Sequence, residues 1–328
     1  MKSVLGGARK ALGSWEAGLL VLLAGVFVLN SSLSPYFLDY YNLIDSTLTF
    51  SEKALIVLPM ALLIISREID VSVASIVALA AVLMGVASDL GADTPTLVAV
   101  GLLTGLAAGL ANGIIVSVLR VHSIVVTIGT LSLFRGIAVA IVGDGAYTKF
   151  PASFAFFGRG YVGNVLPVEF VIYILATVLF AIVLHASIVG RRIYAIGANP
   201  AAARYSGISL ARYRIALFAL TGLMSGLAAV LLTSRLGSVR LNIATGWELQ
   251  VITMVVLGGV GIAGGTGTII GVTLSVFLIG LLSFGLSLIN VPGIVLNIYV
   301  GLLLIGAIAI PNLTKIVASA FLSRHKES

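Results

Sequence analysis

The chain has 328 residues, 59% of them hydrophobic and only 9% charged, with a mean hydropathy of +1.18. Such usage lies outside that of soluble globular domains and makes the protein an integral membrane protein with little mass beyond the bilayer. It has no Cys, which excludes disulfides, thiolate metal sites and Cys nucleophiles, and its net charge of +7 stands between apolar runs, where Lys and Arg set orientation rather than bind nucleic acid.

A helix needs roughly 20 apolar residues to cross a hydrocarbon layer about 30 Å thick. The basic start MKSVLGGARKALGSWEAGLL precedes no A-x-A-like cleavage site, so it reads as a retained first span. Apolar runs bounded by charge or turn residues then place ten spans along a single transmembrane domain over 1–328. They cover 16–33, 51–66, 70–88, 95–118, 122–142, 167–188, 214–235, 247–261, 267–287 and 291–311.

With the N-terminus inside, Lys2, Arg9, Lys10, Arg67, Arg120, Arg191, Arg192, Arg204, Arg212, Arg214, Lys315, Arg324 and Lys326 fall on the cytoplasmic side. Lys53, Lys149, Arg159, Arg235 and Arg240 fall on the other, and Arg135 lies within a span. This bias puts both termini in the cytoplasm. Asp39, Asp45, Asp89, Asp93 and Asp144, with the Gly- and Phe-rich loop 143–166, then lie outside. Small residues recur at spacings of four in GLLTGLAAGLANG (101–113) and TGLMSGLAAV (221–230), a pattern that lets helices pack closely.

The loop between spans six and seven reads GRRIYAIGANPAAARYSGISLARYR over 190–214. Asn199 suits an N-cap, Pro200 the first helical position, and Ala201, Ala202 and Ala203 are strong helix formers. Gly207 fits the left-handed position beyond the last turn. The sequence thus encodes a cytoplasmic helix of about seven residues, set off from the spans by Gly197. So short a helix needs something to hold it: a groove on another protein and the lipid headgroup surface both satisfy that need.

The stretches IDVSVAS (69–75), NGIIVSVLRVHSIVVTIGTLSLFRGIA (112–138), GRRIYAIGANPAAARYSGI (190–208), WELQVITMVVLGG (247–259) and GGTGTIIG (264–271) resemble, in this order, the membrane permease subunits of bacterial ABC importers for ribose, xylose, rhamnose and autoinducer-2. That resemblance implies an all-α polytopic fold like that of the vitamin B12 importer permease, in the bacterial cytoplasmic membrane. It also implies that 190–213 is a coupling loop docking onto an ATPase subunit, with Arg191, Arg192, Asn199, Pro200, Ala202, Ala203, Arg204 and Gly207 in the docking pattern. The implied partners are a second permease, identical or homologous, two ATP-binding subunits that carry ATP and Mg, and an extracytoplasmic solute-binding protein. Many members have Gly-Gly where this chain has Arg67 and Glu68, and Gly where it has Ala74. The REIDVSVAS form is similar to the rhamnose and autoinducer-2 branches, and NIATGWELQVITMVVLGGVGIAGGTGTIIG followed by INVPGI (289–294) leans to the rhamnose type, which favours a rhamnose-like deoxysugar as solute over autoinducer-2 or another polyol.

Polar residues in and near the spans are the candidate path. Asp70 can cap the third span or face the path. Ser72 and Ser75 lie three apart on one helical face, suited to interhelical hydrogen bonds. Asn112, deep in the fourth span, needs a partner because an unsatisfied amide in hydrocarbon is costly. Thr127, Thr130 and Ser132 give the fifth span a polar stripe. Arg135 at mid-span must face protein interior or water, and Glu248 is a candidate partner for it. His122 and His185 read as interfacial, and Gly258, Gly259, Gly264, Gly265 and Gly267 as a tight cytoplasmic turn. No G-x-x-x-x-G-K-[ST] pattern occurs, so the chain carries no ATP site of that kind. The sequence points to no catalytic residue and no metal or cofactor held by this chain. A stand-alone facilitator is the rival reading, weakened because the acids lie at span ends. A membrane-embedded enzyme would need a His and carboxylate cluster that the sequence lacks.

Overall fold

The computed structural model describes residues 15–292 except 164, together with 295, 298, 299, 301–303, 305 and 306. The tenth expected span and both termini therefore lie outside the described residues or nearly so. Among the described residues each of the other nine expected spans corresponds to a helix. These are α1 (Trp15–Leu33), α3 (Ser51–Ile65), α4 (Val73–Asp89), α5 (Thr94–Val118), α6 (Ser123–Val142), α8 (Val168–Ala181), α11 (Leu210–Leu236), α12 (Trp247–Leu257) and α13 (Ile269–Leu288). Short helices lie between them: α2 (Tyr40–Ser46), α7 (Phe156–Arg159), α9 (Ile188–Ala198) and α10 (Pro200–Tyr205). A two-residue hairpin, β1 (Tyr161–Val162) with β2 (Leu166–Pro167), pairs antiparallel. The loops sort to two ends of the bundle, a hairpin end and a basic end that carries α9 and α10.

Among the described residues six helices are long and apolar enough to cross a membrane: α1, α5, α6, α11, α13, and α8 with its continuation to Ala186. A seventh arises if the segment Tyr40–Thr49, bent by 48° from α3, is counted with it as one span. At 17 and 11 residues, α4 and α12 are shorter.

Local chemistry explains the boundaries. Asp93 caps α5 by accepting from the Thr96 N–H at 3.1 Å, with Pro95 in the first turn. At the same end of the bundle α11 stops at Gly237, whose φ is +63°. In α3 every residue but Lys53 is buried, as expected of a helix apolar all round, and it packs against α8, α11, α12 and α13. The closest helix pair is α5 with α11: a Cβ on Gly105 would strike the Gly222 carbonyl, and one on Gly109 the Phe218 carbonyl. The small-residue pattern of both helices is thus used for backbone contact. Polar contacts tie α1 to α13: Asn30 Nδ2 donates to the Leu281 carbonyl at 2.8 Å, and the hydroxyl of Thr268, the N-cap of α13, donates to Glu16 Oε1 at 3.0 Å.

One expectation needs correction. Gly197 does not separate a lone helix from the spans, because 188–198 is itself helical, capped by Ser187 accepting from the Gly190 N–H. The loop 143–166 contains a 3₁₀ turn (Ala152–Ala155), α7 and most of the hairpin.

Candidate functional site: the basic end and a polar mid-depth face

At the basic end, Asn199 caps α10 by accepting from the N–H groups of Ala201 and Ala202, both at 3.1 Å. The helix closes with Gly207 at φ +81°. The Gly207 N–H donates to the Arg204 carbonyl and the Ile208 N–H to that of Ala203, both at 3.0 Å, which satisfies two of the free carbonyls at the end. Ala203 is buried with Ile196 and Leu210, whereas Ala202, Arg204 and Tyr205 are exposed, Tyr205 to 93%. Arg191 is exposed, and Arg192 donates to the Tyr213 hydroxyl at 3.3 Å.

The helix α9 that carries α10 is fixed to the bundle. Burial pushes the Tyr194 phenol pKa up, and the hydroxyl donates to the Gly267 carbonyl at 2.6 Å. Arg67 Nε donates to the Gly197 carbonyl at 2.5 Å and its Nη2 to that of Ala198 at 3.0 Å, so a cation caps the last carbonyls of α9. The Gly265 N–H donates to the Ile65 carbonyl at 2.8 Å, with Gly197 at the same junction, where a Cβ would strike that carbonyl. Gly259, Gly264, Gly265 and Gly267 all have positive φ, so the glycine-rich stretch is the tight turn the sequence suggests. A cavity of about 690 Å³ opens beside α10, lined by Arg67, Glu68, Arg120, His122, Pro200, Arg204 and Arg214 among others.

Next to it lies a buried polar knot. Asp70 is wholly buried, and its Oδ1 accepts from the Ser72 N–H at 2.9 Å and the Ser72 hydroxyl at 2.6 Å. Asn112 Nδ2 donates to Ser72 Oγ at 2.8 Å, joining α5 to the start of α4. The Ile69 N–H donates to Ser123 Oγ at 3.2 Å, and the Thr127 hydroxyl donates to the carbonyls of Ser123 and Ile69 at 2.9 and 3.4 Å. Thr130 is buried on the same face of α6 and donates to the Thr127 carbonyl. Four of the predicted path residues, Asp70, Asn112, Thr127 and Thr130, thus sit inside the bundle, and the first three of them brace the 69–72 turn. Ser75 donates back to the Ser72 carbonyl within its own helix and not across to another. Ser132 is exposed, so the predicted stripe on α6 splits over two faces.

Arg135 lies elsewhere. It is the thirteenth of twenty residues in α6, near the middle of a span at ~1.5 Å rise per residue. Its Nη1 donates to the Ile243 carbonyl at 2.8 Å and its Nη2 to that of Ala74 at 3.5 Å. Among the described residues it forms no ion pair within 4.0 Å, so of the two roles open to Glu248, partner of Arg135 or site contact, the direct pairing is not made. Ile243 belongs to the non-helical stretch between α11 and α12, where Ala244 takes a left-handed φ of +56°. With 11 residues α12 covers about 16 Å, half the thickness it would have to cross. The stretch before it supplies the remainder as irregular backbone, which membranes tolerate only inside protein or beside water. Ser132, one turn before Arg135 on α6, is exposed, as are Asn242 and Thr245 on either side of the Ile243–Ala244 backbone that Arg135 reaches, and Glu248 is half-buried.

Sequence reading missed a charge cluster near the hairpin end. The carboxylates of Glu52 and Glu169 are both 0% exposed and flank Arg235, whose Nε lies 2.6 Å from Glu52 Oε1 and 3.9 Å from Glu169 Oε1. Lys53 donates to Gln250 Oε1 at 2.9 Å and stands 5.5 Å from the Trp247 ring centre. Each of these charges falls at a span end, where sequence alone assigns it to solvent. Beside them α7 packs on α11 and α8, with Gly158 N–H donating to Ser234 Oγ.

The family described as branched-chain amino acid transport system / permease component matches residues 42–310. The chain is also 37% identical over 297 residues to the protein named autoinducer 2 import system permease protein LsrD from Escherichia coli O9:H4 (strain HS). The aligned part covers 89% of this chain and 90% of that one. The proteins of the same name from Escherichia coli (strain K12) and Shigella flexneri match with the same identity and coverage. No solved structure matches.

Proposed function

The chain belongs to the family of branched-chain amino acid transport system / permease components, and on that premise we propose that it is the membrane-spanning subunit of an ATP-driven importer of a small sugar or sugar-like polyol. It is a multi-pass membrane protein, in this reading of the bacterial inner membrane, with ten spans and both termini in the cytoplasm. Autoinducer-2, named in its relatives, takes precedence as solute over a rhamnose-like deoxysugar. The observation that carries the reading is α10: a capped, six-residue helix with an exposed Ala and Tyr surface, held at the end of a fixed lever.

In this mechanism the chain hydrolyses nothing. Two permease subunits, identical or homologous, enclose a path; two ATP-binding subunits hold ATP and Mg and receive α10 in a surface groove; a solute-binding protein docks at the hairpin end. ATP-driven closure of the ATPase pair moves α10 and α9 as a rigid lever and switches the side to which the path opens. Ser132, Arg135, Asn242, Thr245 and Glu248 supply hydroxyl, amide and charged partners for a polyol in transit, few enough to let it leave.

The test is ATP hydrolysis in liposomes that hold this chain with its ATPase and solute-binding partners, scanned with autoinducer-2, L-rhamnose, ribose and xylose. Hydrolysis stimulated by one loaded binding protein is expected, and identifies the solute. Solute uptake by this chain alone, without ATP or partner, would replace the importer with a stand-alone facilitator.

A further inference from the structure

An energy-coupling helix needs a receiver: some element must carry its displacement into the helices that line the path. Among the described residues, the turn from Ser66 to Ser72 touches both. On one side Arg67 donates to the carbonyls of Gly197 and Ala198, the last two residues before the Asn199 cap of α10. The stretch after α10 is gripped as well, since Arg214 Nε on α11 lies 2.5 Å from Glu68 Oε1, an ion pair by charge contact without an aligned hydrogen bond. On the other side Ile69 is hydrogen-bonded through both its N–H and its carbonyl to Ser123 and Thr127 of α6. Arg67 holds a left-handed φ of +69°, which a non-Gly residue adopts only when its surroundings enforce it.

We infer that this turn is the fulcrum of the transporter, with Arg67 and Glu68 as positioning residues that hold the α9–α10 junction and the start of α11 and pass the lever's motion through Ile69 to α6. The inference rests on the importer reading and adds the receiving element to it. Two consecutive residues with opposite charge reach opposite flanks of α10, so the helix cannot tilt without pulling on the turn. The turn in turn cannot shift without moving the start of α6, because both backbone polar groups of Ile69 are bonded there. Glu68 is buried and Arg214 partly so, which makes the pair sensitive to loss of either partner.

The chain has no Cys, so spin labels can be placed at chosen positions. Labels at Val189→Cys on α9 and Val125→Cys on α6, both at exposed residues away from the docking surface of α10, report the distance between the lever and α6 by pulsed electron resonance, with labelled chain diluted in unlabelled complex. In the otherwise unaltered chain the distance is expected to stay narrow and unchanged between the ATP-free and vanadate-trapped complexes, because the two elements move together. Arg67→Ala and Glu68→Lys are expected to widen the distribution about twofold or more and to let it shift with ATP, while hydrolysis continues. The exchange Glu68→Lys with Arg214→Glu should narrow it again. A distance that shifts equally in the unaltered chain, or an exchange that leaves it wide while Glu68→Gln leaves it narrow, overturns the fulcrum. The widening by itself needs no ATPase, so a permease that stimulates no ATP hydrolysis overturns the importer reading separately.

Discussion

Asn112 shows how far a single residue can be read. An amide deep in an apolar run must have a partner, and the structure supplies it in Ser72, which also donates to the buried Asp70. The need was legible; the partner, forty residues away in the chain, was not. Asn112→Ala should lower stability by about 1–3 kcal/mol, since it strips a donor from a buried acceptor. With Ser72→Ala the loss should be less than the sum of the two single losses, as thermal unfolding in detergent would record. Arg235 is the opposite case. A basic residue at the end of a span looks solvated, yet it stands between two carboxylates of 0% exposure. Arg235→Ala leaves both uncompensated and should cost roughly 3 kcal/mol or more, whereas Glu169→Gln, which lowers the buried negative charge, should cost less. Equal losses in the two variants would contradict the triad.

Elements were most legible where one physical signal dominated. Spacing of Gly at four predicted close helix approach, and α5 and α11 meet backbone to backbone at Gly105 and Gly222. Gly105→Leu should therefore destabilise the fold by at least about 2 kcal/mol, as overpacking against main chain leaves little room to relax, and thermal unfolding would measure it. The capped α10 was equally plain from Asn199-Pro200 and Gly207. What the sequence hid there was α9: Gly197 reads as a break, while its missing Cβ serves a close approach to the Ile65 carbonyl at the end of a helix. The structure also separates two alanines that look alike in sequence. Ala202 is exposed and Ala203 buried, so Ala202→Asp should abolish stimulated ATP hydrolysis with the permease still folded in the membrane, whereas Ala203→Asp should also destabilise the α9–α11 junction. Protease resistance alongside hydrolysis tells these apart, and normal stimulation in Ala202→Asp would remove α10 from the coupling route.

The whole molecule presents two kinds of surface. Exposed residues of α1 and much of α8 are almost purely apolar, with Val21 at 73% and Leu175 at 66% exposure, as lipid-facing helices should be. Around Arg135 the surface carries two hydroxyls, an amide and two charged groups at mid-depth, beside backbone that is not helical. Hydrocarbon would charge such a face several kcal/mol, so it has to meet either water or a second protein. Sequence reading found Arg135 and Glu248 but not Asn242 or Thr245, because an apolar run of spans gives no sign that one of them, α12, is a half-length helix preceded by irregular chain. A two-subunit path satisfies both alternatives at once, with protein enclosing the face and water filling it. In a chain without native Cys, Thr245→Cys should therefore cross-link two permease subunits in membranes under oxidation, where Val21→Cys on the lipid face should not. Cross-linking from Val21 alone would turn the assembly around and put α1 at the interface, leaving the mid-depth polar face without the second protein that its composition requires.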